Sequence, residues 1–172
     1  RQAVSIIRYG IEHNTPEKDF VWNCETYYCV ERFLEAASEE EKEQFFELVR
    51  RGNIGLSGTY LNFNDLADRD ALFRRTAAMQ KTCTEYGAPV KAAMNADING
   101  ISMGGRDALI ENGIAFLYTN IHTHHGMYPL YKNQVPYWWE AENGKRLLVW
   151  SGEHYNLGNA LGLNSNTNVS FH

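Results

Sequence analysis

The sequence is poor in positive charge, in cysteine and in long apolar runs. Lys and Arg number 16 against 21 Asp and Glu, a formal net charge of -5. That balance argues against a nucleic-acid partner, because phosphate binding needs clustered basic side chains. No apolar run approaches the roughly 20 residues that span a bilayer, so no membrane partner is expected. The three cysteines, Cys24, Cys29 and Cys83, are odd in number and form no CxxC pair. They suggest neither a disulfide framework nor a structural zinc site, and they favour a reducing compartment, the cytoplasm. No secretory signal opens the chain. Residues 1–7 read as helix, as if the sequence began inside an element of a longer protein. P-loop, dinucleotide, HExxH and GxSxG patterns are missing, which argues against nucleotide, zinc-protease and serine-hydrolase chemistry.

What is present is an ordinary globular composition, 44% apolar and 22% charged, in a chain long enough for one domain with a sizeable core. Aromatic residues reach 13%, a surplus that serves either a large core or a sugar-stacking surface. Val4, Ile7 and Ile11 repeat at helical spacing within 2–13. Residues 19–25 read as a short buried strand and 26–37 as helix. Ser38, followed three residues later by Glu41, makes a capping box. The helix it opens carries acids in its first turn and Arg50-Arg51 in its last, and Gly52 stops it.

The pattern then repeats. Residues 54–61 form the second strand candidate. Asp68 caps a helix striped by Leu72, Thr76, Met79 and Cys83, which Gly87 and Pro89 end. Residues 90–96 make a third strand, 103–112 a short helix stopped by Gly113, and 114–121 a fourth strand. This alternation predicts βαβ units around a parallel sheet, an α/β fold. Runs 135–141 and 146–150 flank Glu142-Asn143-Gly144-Lys145, a strong hairpin signal. With no repeat and no linker, residues 1–172 read as a single domain.

In parallel α/β folds, ligands gather beyond the carboxyl ends of the strands. There the sequence places Glu25, then Asn62, Asn64 and Asp65, then Asp97 ahead of Asn99-Gly100, then His122, His124 and His125. Asp97 is the sharpest candidate. A carboxylate at a strand exit can attack a sugar anomeric carbon or ligate a divalent metal. It can equally cap the helix that begins near Ser102, or bind turn amides. The histidines suit zinc, yet they also read as a polar loop in which His124 meets substrate hydroxyls. Glu25 serves as an acid or base, or holds loop amides. Asp65 meets a sugar hydroxyl or is a turn residue. Trp138 and Trp139 are adjacent on a strand, so at most one of them stacks on a ligand.

Residues 20–25, then 47–54, then Ser57-Gly58-Thr59-Tyr60 with Asn64-Asp65 downstream, resemble glycoside hydrolase family 38, the alpha-mannosidases. Residues 94–102 resemble that family's nucleophile motif, tryptophan-x-isoleucine-aspartate-proline-phenylalanine-glycine-histidine-serine. They match it at Asp97, Gly100 and Ser102, with Ile98, Asn99 and Ile101 at the proline, phenylalanine and histidine positions. Residues 137–150 resemble a later hairpin in relatives of the family. The likeness is spread over roughly residues 1–155.

The resemblance implies a parallel, seven-stranded (β/α) barrel, present here as an incomplete piece of a catalytic domain. It implies retaining hydrolysis of alpha-linked sugars with one zinc ion, and gives Asp97 two roles, nucleophile and metal ligand. Glu25, Asp65, His124 and Trp138 would line the carbohydrate pocket. The family's His-x-Asp zinc motif, its last zinc histidine and its acid/base carboxylate fall outside the matched part, so the isolated piece is expected to be inactive. Two alternatives stay open: a polysaccharide deacetylase-like metal hydrolase and a metal-free carbohydrate-binding relative. An open barrel piece would expose strand edges and apolar faces, so self-association or poor solubility is expected.

Overall fold

The fold is that of a computed structural model, described for residues 2–14, 21–62, 66–98, 100–121 and 134–152. Helix α1 (Gln2–Glu12) buries Ile7 completely, with Val4 and Ile11 packed against the same core. Strand β1 (Trp22–Cys24) leads into α2 (Tyr27–Ala36), which turns Tyr27, Val30 and Phe33 inward at every third position. Helix α3 (Glu39–Arg50) starts at the capping box read from the sequence. Ser38 Oγ accepts from the Glu41 amide at 3.2 Å, and Glu41 Oε2 accepts from the Ser38 amide at 2.8 Å. Three glutamates in its first turn and Arg50 in its last complement the helix dipole. Gly52 follows at φ 82, the left-handed backbone that ends helices cheaply only without a Cβ.

After β2 (Ile54–Leu56), Asp68 Oδ1 accepts from the Ala71 amide at 2.8 Å and opens α4 (Arg69–Glu85). Strand β3 (Ala92–Ile98) precedes α5 (Met103–Glu111). Then come β4 (Phe116–Ile121) and a hairpin of β5 (Val135–Glu140) and β6 (Arg146–Ser151). Strands β1 and β2 pair in parallel, and a second sheet runs β3-β4-β6-β5. In it β3, β4 and β6 are parallel, and β5 closes the edge antiparallel to β6.

The two sheets meet at a seam. The Gly58 amide donates to the Ala92 carbonyl at 2.9 Å, the Met94 amide donates to Ser57 Oγ at 2.9 Å, and Thr59 Oγ1 donates to the Met94 carbonyl at 2.6 Å. Side-chain hydroxyls thus replace part of a backbone ladder. Gly58 permits the approach, because a Cβ there would come within 2.3 Å of Ile114 Cδ1. One face of the large sheet carries Ala93, Leu117, Leu147 and Val149 into the core that also holds Met79, Cys83 and Leu109 from the helices. The other face carries Phe116, Tyr118, Trp138 and Trp150, all exposed.

The α/β alternation and the Asn-Gly hairpin are as expected. Element lengths differ. The run 19–25 contributes only Trp22–Cys24 among the described residues, and 54–61 only Ile54–Leu56, because the hydroxyl seam takes over at Ser57. The third strand runs past residue 96 to Ile98. The described strands do not close into a seven-stranded barrel. β1 and β5 are the outer strands, with no pairing between them among the described residues, whereas a barrel needs every edge paired. Among the described residues no helix is long and apolar enough to cross a membrane.

Candidate active site at the strand ends

The carboxyl ends of the first three parallel strands are tied together by amides. Glu25, just beyond β1, is exposed, and its Oε1 accepts from Asn62 Nδ2 at 2.6 Å. The Asn62 carbonyl in turn accepts a long 3.5 Å bond from Asn95 Nδ2, within β3. Thr59 Oγ1 lies 3.4 Å from the Glu25 carbonyl and ties the same turn to Met94. Glu25 therefore holds a loop amide, one of the two roles read for it, while its carboxylate stays at the rim.

Asp97 is placed by a break in the ladder. Ala96 pairs with Asn120 and Ile98 with Ile121, so Asp97 is an extra residue in β3. Its backbone has φ 62 and its side chain is exposed. A bulge of this kind re-aims one side chain out of the strand's alternation. Left-handed backbone is tolerated by Asp more readily than by most residues, but it still costs energy. The alternative role of capping the next helix falls to Ser102, whose Oγ accepts from the Gly105 amide at 3.1 Å.

Two residues missed by sequence reasoning complete this layer. Asn95 is fully buried, and Asn120, at the end of β4, is nearly so. Among the described residues, the Oδ1 atoms of Asn62, Asn95 and Asn120 are buried without a hydrogen-bond partner. The orientation of Asn62 follows from chemistry, since a carboxylate only accepts and so must face Nδ2. Each such acceptor costs about 1–3 kcal/mol if it stays unpaired. The signal was legible: an amide inside an otherwise apolar strand run.

Trp138 is not brought to this rim. It stands on the exposed face of β5 opposite Leu148, three residues before the end of β6, or about 10 Å down the strand. Trp139 points the other way and lies under the Arg106 guanidinium at 5.2 Å. Asp65, His124 and the neighbouring His122 and His125 lie outside the described residues. Among the described residues, no three His, Cys, Asp or Glu side chains group closely enough to hold a metal ion. Behind the rim, burial and then the neighbouring Cys29 push the Cys24 thiol up to about 12, so Cys24 is no nucleophile at neutral pH.

Fold and rim together define a parallel α/β domain with carboxylates and amides at the strand ends. Solved structures share that architecture. An alpha-mannosidase from Enterococcus faecalis V583 matches with a TM-score of 0.65 and 17% identity, over 86% of this chain and 17% of its own. A glycosyl hydrolase family 38 protein from Enterococcus faecalis matches with a TM-score of 0.62 and 13% identity, over 91% of this chain and 17% of its own. A 4-alpha-glucanotransferase from Thermococcus litoralis matches with a TM-score of 0.61 and 13% identity, over 94% of this chain and 24% of its own. At these identities the likeness is one of fold, and the chain spans less than a quarter of each neighbour's length. No family model and no curated protein matches the sequence.

Proposed function

We propose that this chain is part of a glycoside hydrolase barrel of the family 38 kind, acting on alpha-linked sugars with retention. The observation that carries the reading is Asp97. It is an exposed carboxylate on a bulge at the carboxyl end of a parallel strand, in a fold similar to those of the alpha-mannosidase and the family 38 protein. In this reading the carboxylate attacks the anomeric carbon while the leaving oxygen takes a proton from a second carboxyl group about 5 Å away. Water then hydrolyses the glycosyl ester and returns Asp97. Glu25 holds a sugar hydroxyl at the rim. Asp65 and His124 are proposed to line the same pocket.

Zinc belongs to this proposal for the complete protein, where it would hold sugar hydroxyls and polarise the reacting centre. The described residues do not by themselves fit such a centre, since no three His, Cys, Asp or Glu side chains among them group closely enough to hold it, and no step is routed through the metal. A metal-free carbohydrate-binding relative is the second reading, resting on Ile98, Asn99 and Ile101 at three positions of the nucleophile motif. The test is zinc stoichiometry and aryl alpha-mannoside hydrolysis in the complete protein, with Asp97→Asn alongside. The mannosidase reading expects one zinc per chain and hydrolysis, both lost in Asp97→Asn. A metal-free, inert protein that binds mannosides regardless of chelator overturns it in favour of the second reading.

A further inference from the structure

The turn after β1 and the loop after β2 are bound into one unit. Helix α2 has no side-chain cap. Its first amides, which a helix cannot satisfy internally, donate instead to the neighbouring loop. Tyr27 donates to the Thr59 carbonyl at 2.9 Å and Tyr28 to the Tyr60 carbonyl at 3.1 Å. Side chains lock the same join. The Tyr60 hydroxyl donates to Glu31 Oε2 on α2. The Tyr28 and Tyr60 rings meet edge to face at 6.0 Å, and the Arg75 guanidinium of α4 lies over the Tyr60 ring at 5.0 Å. Glu25 stands just before the first of these bonds and Asn62 just after the last.

We propose that Asn62 is a positioning residue for Glu25. It holds the carboxylate ready for a sugar hydroxyl and acts on substrate only through Glu25. The inference rests on the glycosidase reading for the sugar and on the local geometry for the contact. A glutamate side chain loses much rotational freedom when it is fixed. Asn62 is shorter and is carried by the locked loop, so it passes that order on to Glu25. The link is Asn62 Nδ2 donating to Glu25 Oε1 at 2.6 Å. Its direction is set by chemistry, since an ionised carboxylate only accepts and the amide nitrogen only donates.

The contact adds little as a structural tie. The join it spans is already held by two backbone bonds and by the Tyr60 contacts. What it fixes, and they do not, is where the carboxylate points. Such preorganisation lowers the cost of binding, because the substrate need not order the side chain itself. In the proposed mechanism Glu25 is not one of the reacting groups. It holds its hydroxyl alike in ground and transition states, so disordering it is read in KM rather than kcat.

The test is steady-state hydrolysis of an aryl alpha-mannoside by the complete protein, with Asn62→Asp, Asn62→Ala, Glu25→Ala and the double variant Glu25→Ala/Asn62→Ala alongside. Asn62→Asp keeps the side-chain shape and removes the donor, so it carries the test even where Asn62→Ala fails to fold. The expected result is a KM raised about tenfold in both Asn62 variants, the order of fixing one long side chain, at nearly unchanged kcat. Adding Asn62→Ala to Glu25→Ala raises KM no further, the non-additivity of two residues that act as one. Hydrolysis by the parent with an unchanged KM in Asn62→Asp overturns this inference and leaves the glycosidase reading standing. So does an effect of Asn62→Ala that persists in full beside Glu25→Ala, which makes Asn62 a substrate contact or a structural residue in its own right. A parent inert towards alpha-mannosides overturns the reading, and this inference with it.

Discussion

Asp97 combines a strained backbone with a candidate nucleophile, and substitution separates the two. At φ 62, a residue bearing a Cβ pays about 1–2 kcal/mol, and Asp and Asn pay less because their short side chains bond locally. Glycine pays nothing there, but it carries about 0.5–1 kcal/mol of extra freedom in the unfolded chain. Asp97→Ala is therefore expected to lose about 1–2 kcal/mol. Asp97→Gly should lie about 1 kcal/mol above Ala, since a Cβ at positive φ costs more than glycine's entropy. Asp97→Asn should stay within about 0.5 kcal/mol of the parent. In a chain of this length each kcal/mol moves the melting temperature by about 2–4 °C. Thermal unfolding followed by circular dichroism resolves that order. An alanine variant at least as stable as the glycine variant would refute the left-handed backbone at 97, and with it the bulge that presents the carboxylate. Asp97→Asn also serves chemistry, since unchanged melting with lost hydrolysis assigns the loss to the carboxylate.

Ser38→Ala removes the half of the capping box in which Ser38 Oγ accepts from the Glu41 amide, leaves the backbone donor to Glu41 in place, and should cost about 1 kcal/mol. It would be read as a lower urea midpoint at unchanged slope. Asn95→Leu exchanges an orphaned acceptor and one 3.5 Å bond for a similar apolar shape, so stability should change by less than about 1 kcal/mol. Leu117→Ala in the same sheet should cost about 2–5 kcal/mol. A comparable loss in Asn95→Leu would mean that its oxygen has a partner. The Cys24 thiol is raised from 9.0 to about 12 in the folded chain. The folded state thus holds this proton more tightly than the unfolded state does. Its contribution is complete below pH 9 and drains away as pH rises towards 12. Alkaline unfolding monitored between those limits should be shallower in Cys24→Ala.

Much of the fold was legible because its signals are local. The Ser38 box, the Asp68 cap, Gly52 and the Asn143-Gly144 hairpin each act within one turn of chain. Strand lengths were less legible, since they depend on partners. Nothing near Ser57 announces that its hydroxyl will bond the Met94 amide and end the ladder early. Strand order was hidden for the same reason. β6 docks on β4 and leaves β5 outside, a choice made by pairing across the intervening chain. At the rim, Glu25, Asn62 and Asp97 were visible as polar residues at strand exits. Asn95 and Asn120 left a signal, an amide in an apolar run, but such an amide is usually absorbed by a partner, and among the described residues their Oδ1 atoms have none. Trp138 could be read from the hairpin either as core or as a sugar-stacking ring, and register sets it about 10 Å from the strand ends.

The hydroxyl seam between β2 and β3 has a mechanical consequence. Backbone ladders resist shear because many bonds must break at once, whereas this junction rests on two side-chain hydroxyls, one backbone amide bond and the long Asn95–Asn62 bond. It is the compliant line of the sheet. Glu25 and Asn62 ride on one side of it and Asp97 on the other, so a slight swing along the line changes how far apart the two carboxylates stand. Ser57 and Thr59 thus act as the pivot pins of the rim, and Ser57→Ala should loosen the spacing of groups it never touches.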